Sequence, residues 1–225
     1  MMKDIDRWAV FQAVNDVKVA LKQGWAVPTS VNITPETLLD SGLVERLAKA
    51  IAPVAEYIHI EITEETLLND KELVAQSLSE LRKTGAKIYI DDFGSGFSSL
   101  SYLTYFDIDA IKIDRSFVLA LETVKGKKVF SGLLNLANDL ELATVVEGVE
   151  TQEQISCITP QSDTSIQGWF YSRSLPLAQL KKYIIETNLL SPKSEGSGSS
   201  DKGDSDDYSD HGVDELTKTD LAEAR

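Results

Sequence analysis

A single cysteine, Cys157, leaves this chain without an intramolecular disulfide. Its core therefore rests on burial alone, and such cysteine usage fits a reducing compartment, so a cytoplasmic location is expected. Long apolar runs are missing as well. No stretch of about 18 apolar residues occurs, and no basic segment followed by a short apolar core and a small-residue cleavage site opens the chain. The expectation is a chain that does not itself enter a membrane. Basic residues are in deficit, with 22 Lys and Arg against 36 Asp and Glu for a net charge of −14. No basic stripe exists to track a phosphate backbone, which argues against a nucleic-acid polymer as partner. A small anionic ligand is a different matter, because divalent cations held in a site reverse the local field whatever the global charge.

The 225 residues, 42 % of them hydrophobic, suffice for one sizeable core. Helical spacing of Ile5, Trp8, Val10 or Phe11, Val14, Val17 and Leu21 predicts a covering helix over 5–23, with Gly24 as its stop. Strands are expected over 27–33, 57–62, 86–90, 110–113, 143–146 and 164–166. Between them fall a helical turn at 35–39 and helices at 43–52, 70–83, 98–105 and 127–140, and a helix at 178–190 follows the last strand. Leu73, Leu78 and Leu81 mark the inner face of the 70–83 helix, and Val129, Leu133, Leu136 and Leu140 that of the 127–140 helix. Continuous apolar strands alternating with helices argue for a parallel sheet covered by helices. Segment 155–165 holds Thr159-Pro160 and Gln161-Ser162-Asp163, which are poor helix formers.

From Ser191 the composition turns to Ser, Gly and Asp, with four basic and ten acidic residues over 192–225. This divides the chain into a domain over 1–190 and an acidic, disordered tail over 191–225, in which a short helix at 214–224 is open. His211 in that tail is a solvated residue rather than a ligand.

The six strands share one feature. Asn32 ends the first, Glu61 the second, the pair Asp91-Asp92 the third, Lys112 and Asp114 the fourth, Glu147 the fifth and Gln167 the sixth. In a barrel of alternating strands and helices, C-terminal strand ends converge on one rim, where polar groups build active sites. An Asp-Asp pair before a glycine loop is, taken alone, a turn or helix cap. A lone Glu at a strand end is a solvated charge, and a lone Lys a salt-bridge partner. Their joint occurrence on consecutive strand ends is what points to a metallohydrolase site. Asn32, Glu61, Asp91, Asp92 and Glu147 all offer oxygen, the donor that hard cations such as Mg2+ require.

Val31-Asn32-Ile33, Glu61-Ile62-Thr63-Glu64, the Asp91–Gly96 loop, Ile111 to Asp114, Glu147 to Glu150 and Gln167-Gly168-Trp169 follow one another in order. In this the chain resembles an EAL domain from about Ile5 to about Ile185. The resemblance implies a TIM-like (β/α) barrel of the α/β class that hydrolyses cyclic di-GMP to linear pGpG with Mg2+ or Mn2+. It makes Asn32, Glu61 and Asp91 metal ligands and gives Asp92 a part in holding a second metal. Glu147 binds metal or orients the attacking water, and Lys112 contacts that water or the scissile phosphate. Gln167 hydrogen-bonds nearby, Asp114 contacts substrate or fixes Lys112, and Glu64 anchors the glycine loop. Glu150 receives no role.

The motif that names the family is absent, for no Glu-Ala-Leu occurs in the chain. The resemblance thus implies a barrel lacking its first two strands, with six present, and one metal-binding carboxylate. Impaired catalysis is expected, with a homodimer, a partner chain or an upstream part of the same gene product as the source of strands for the open sheet. Two alternatives stand beside the enzyme: a noncatalytic module that binds cyclic di-GMP or a protein, and an inert fragment.

Overall fold

A computed structural model describes residues 1–96, 100–158 and 163–187. The acidic tail, with the short helix left open at 214–224, the start of the expected 98–105 helix, the end of the expected 178–190 helix and Thr159-Pro160 lie outside these residues. The chain opens with helix α1 (Met2–Lys22), followed by β1 (Thr29–Asn32), α2 (Pro35–Leu38), α3 (Ser41–Ile51) and β2 (Ile58–Thr63). Then come α4 (Lys71–Arg82), β3 (Lys87–Phe93), β4 (Ala110–Ile113), α5 (Arg115–Leu119) and α6 (Val124–Asp139). The series ends with β5 (Ala143–Val146), α7 (Gln152–Cys157), β6 (Thr164–Ile166) and α8 (Leu177–Glu186). The six strands form one parallel sheet in sequential order, β1 to β6. It is a curled half-barrel, the expected incomplete TIM-like architecture.

Strand alternation sorts the side chains between two environments. Val31, Ile60, Ile88, Ile90 and Ile111 face the helices and join the main core with Leu47, Leu78 and Leu81. Ile113 and Val146 do the same for a second cluster with Phe130 and Leu134. The alternate positions Ser30, Asn32, His59, Glu61, Tyr89, Asp91, Lys112, Val145 and Glu147 line the concave side. Sheet curvature therefore delivers the polar strand ends to one cleft.

Helix α1 buries Val10, Val14 and Val17 of the expected stripe, but the stripe is turned away from Ile5, Trp8 and Leu21 toward Asp6, Ala13 and Ala20. Val10, Ala13, Val14, Val17 and Ala20 are buried, whereas Ile5, Phe11 and Leu21 are exposed and Trp8 is 66 % exposed. The stripe is set by buried Asp6, whose Oδ2 accepts hydrogen bonds from Thr34 N–H (2.9 Å), Thr34 Oγ1 (2.6 Å) and Thr37 Oγ1 (2.7 Å). Three donors to one carboxylate oxygen outweigh the exposure of an indole. In α6, Phe130, Leu134 and Ala137 are buried and the expected Leu133 and Leu136 pack partly buried against the core, whereas Val129, and Leu140 just past the helix, are exposed.

Two short helices follow β4 and β5. Asp114 caps α5 by accepting from Ser116 N–H at 3.0 Å. Helix α7 starts at a capping box in which Thr151 and Gln154 bond each other's backbone N–H groups. The expected helix over 98–105 is a 3-10 turn at Leu100–Thr104.

Helix α8 returns the chain to its beginning. Leu180 and Ile184 pack on Ala20 and Trp25, and Lys181 Nζ donates to Gln23 Oε1 at 2.8 Å. Leu180 and Tyr183 thereby form a wall of the cleft opposite the sheet. Among the described residues no helix is long and apolar enough to cross a membrane.

Candidate active site

Each strand end sets one functional group, and β3 sets two. Consecutive residues of a regular strand point to opposite faces, yet Asp91 and Asp92 bring carboxylate oxygens close to each other. The cause is a break in the β3–β4 register between Ile90 and Phe93, together with a left-handed backbone at Asp92, φ 54°. An irregularity of this kind re-aims a side chain at the edge of a site, and a non-glycine residue in that conformation marks stored strain. Asp91, Asp92 and Glu147 each bring a carboxylate oxygen within 4.8 Å of the other two.

Lys112, almost fully buried, holds the centre. Its Nζ lies 2.8 Å from Glu147 Oε1, 2.9 Å from Glu61 Oε1 and 3.1 Å from Asp91 Oδ1. Three strand ends thus converge on a single positive charge. Burial raises Glu147 to a pKa of about 7 even though Lys112 pulls it down, and Asp91 and Glu61 add to the rise. Asp92 is also raised, by burial first and then by Asp91 and Asp114. Carboxylates that hold their protons this readily gain from a further cation, and an oxygen-only donor set suits a hard divalent one.

Asn32 and Gln167 flank this centre on β1 and just beyond β6, and both line the cleft. Gln167 N–H donates to Val146 O at 2.8 Å, while its side-chain Oε1 is buried and unpartnered among the described residues. Glu64 Oε1 accepts from Gly94 N–H (3.0 Å) and from Tyr102 Oη–H (2.8 Å), tying the glycine loop to β2. Burial and the Glu64 carboxylate keep the Tyr102 phenol protonated. Gly94 itself takes φ 85°, and a Cβ there would press on the Phe117 ring. Asp114 caps α5 through Oδ1, which accepts from Ser116 N–H.

The cleft encloses about 520 Å3, within the range of small-molecule sites. It also holds groups not assigned from the sequence. Arg115 Nη2 pairs with Glu150 Oε1 at 2.8 Å, and Arg173 lies over the Trp169 ring. Below the carboxylates, the His59 and Tyr89 rings stack at 4.4 Å. Only the period-two alternation of β2 and β3 could have placed these two rings inward.

The sequence profile described as the EAL domain matches residues 1–174. Cyclic di-GMP phosphodiesterase NbdA of Pseudomonas aeruginosa is 31 % identical over 189 residues, 82 % of this chain and 24 % of that protein. The chain spans about a quarter of the length of the curated relatives it matches. Among solved structures, the cAMP- and cyclic-di-GMP-bound form of EAL enzyme Bd1971 superposes with a TM-score of 0.75 at 29 % identity, covering 82 % of this chain and 52 % of the other. The EAL domain of Mycobacterium smegmatis DcpA also gives 0.75, at 27 % identity and with 82 % and 86 % covered.

Proposed function

Because this chain belongs to the EAL domain family, we propose that its rim is a phosphodiesterase centre that opens cyclic di-GMP to linear pGpG. The observation that carries the proposal is the convergence of Glu61, Asp91 and Glu147 on Lys112, with Asp92 turned into the same site. Asn32, Glu61, Asp91, Asp92 and Glu147 are the residues to hold Mg2+ or Mn2+. Bound there, such ions supply Lewis acidity toward both the phosphodiester and the attacking water. The protein's own groups do the rest. Lys112 meets the charge that grows on the phosphate oxygens. Glu147, where it is not taken up as a metal ligand, orients the attacking water and accepts its proton at the carboxylate. Gln167 offers its amide to water or phosphate, and Glu64 fixes the glycine loop above them.

A specific feature favours a role for a second polypeptide. Within the described residues β1 and β6 each have a neighbour on one side only, so two rows of backbone donors and acceptors stand open. Strands contributed there by another copy or by a partner stiffen the rim, and for clamped reactants a displacement of about 1 Å is worth ~100-fold in rate. The chain alone is therefore proposed to be a slow enzyme.

Calorimetric titration of cyclic di-GMP, with Ca2+ and then with Mn2+, coupled to chromatography of the product, separates the readings. Binding with pGpG formation in Mn2+ supports the enzyme. Binding without product favours a noncatalytic module, and neither would mark an inert fragment.

A further inference from the structure

Trp169 is 56 % exposed, a costly position for so large an apolar surface. Its indole nevertheless lines the cleft that holds Lys112 and the carboxylates. The Arg173 guanidinium stands 4.3 Å from the ring centroid, so a cation lies against one face of the indole.

The support beneath this pair is firm. Val149 N–H donates to Gln167 O at 3.2 Å, and Phe170 N–H donates to Val149 O at 3.0 Å. Gly168 runs so close to Val149 that a Cβ on it would strike the Val149 carbonyl oxygen. The backbone flanking Trp169 is thereby pinned beside Gln167 rather than free to follow solvent.

A flat aromatic surface with a guanidinium against it, opening on the cleft proposed to hold the phosphodiester, matches a ligand that is both aromatic and anionic. Bases stack on indoles whatever their sequence, and guanidinium groups donate to the O6 and N7 acceptors of guanine. The geometry points to Trp169 and Arg173 as a stacking subsite for one purine of the ligand whose phosphodiester lies at Lys112. This assignment rests on the cyclic dinucleotide reading given above. Arg173 caps the platform when no base is present, and the incoming ring either stacks on the guanidinium or displaces it.

The test is calorimetric titration of cyclic di-GMP, in Ca2+, into the full chain and its Trp169→Ala and Trp169→Phe variants. Because the indole is exposed, both variants are expected to keep the wild-type melting temperature. Trp169→Ala is expected to weaken binding by about 5- to 150-fold, while Trp169→Phe, which keeps an aromatic face, stays within about 3-fold of wild type. Equal affinity of the Ala variant and the wild type would overturn the subsite and leave the phosphodiesterase reading standing. An equal loss in the Phe and Ala variants would overturn stacking as its basis. Failure of the wild-type chain to bind cyclic di-GMP at all would overturn the dinucleotide reading and the subsite with it.

Discussion

Lys112 Nζ and Glu147 Oε1 stand 2.8 Å apart at the ends of adjacent strands, and Glu147 still keeps its pKa near 7. Burial outweighs the ion pair, and the negative charges of Asp91 and Glu61 beside it add to the rise. One ammonium among three carboxylates leaves the rim with negative charge to spare, and that excess is what gives a divalent cation a purchase on it.

Lys112→Met removes the one cation these three carboxylates hold in common. Leaving buried charge uncompensated costs about 3 to 5 kcal/mol. Urea unfolding in EDTA is expected to show a loss of this order relative to the wild-type chain, with part of it restored by millimolar Mn2+. An unchanged midpoint in EDTA would contradict the arrangement.

Glu64→Ala unties the glycine loop. Tyr102 Oη and Gly94 N–H lose their shared acceptor, and an unsatisfied buried donor costs about 1 to 3 kcal/mol. Hydrogen exchange at Phe93 and Gly94 should accelerate in this variant, while exchange in β5 stays at its wild-type rate.

His59 gives a pH signature. Burial first, and then Lys87, hold its pKa down to about 4 against an ordinary 6.5, with Asp109 opposing. The unfolded chain therefore binds more protons than the folded one between these values, so stability falls as pH falls through that window. The full loss amounts to about 3 kcal/mol. His59→Phe, which keeps a ring against Tyr89, should flatten the acid side of the profile by that amount in urea midpoints taken at pH 7 and pH 4. A profile parallel to wild type would show that His59 is not buried neutral.

Strand ends were legible in the sequence because an apolar run that stops on a carboxylate or lysine leaves a sharp boundary, as at Glu61, Asp91 and Lys112. Strands β4, β5 and β6 fall where their apolar stretches do. Helix faces were not legible in the same way. In α1 the apolar residues Trp8 and Ile5 turn outward because Asp6 reaches Thr34 and Thr37, partners about thirty residues away that no local spacing announces. The Asp91-Asp92 pair was legible as the end of β3, but the register break and left-handed backbone that bring both carboxylates to one side were not. Trp169 and Arg173 lie in an irregular segment, where periodicity offers no guide to which side chains meet. The α7 capping box is legible in the sequence, as Thr151 and Gln154 stand at the required spacing.

The most direct test of the central claim is chromatography of cyclic di-GMP incubated with the purified chain in Mn2+, alongside its Asp91→Ala variant. Linear pGpG is expected from the wild-type chain, at a slow rate that a strand-donating partner raises. No pGpG should form in EDTA, and Asp91→Ala should lower the rate by at least about 100-fold. Product formed equally well by Asp91→Ala, or in the absence of a divalent cation, would contradict the account.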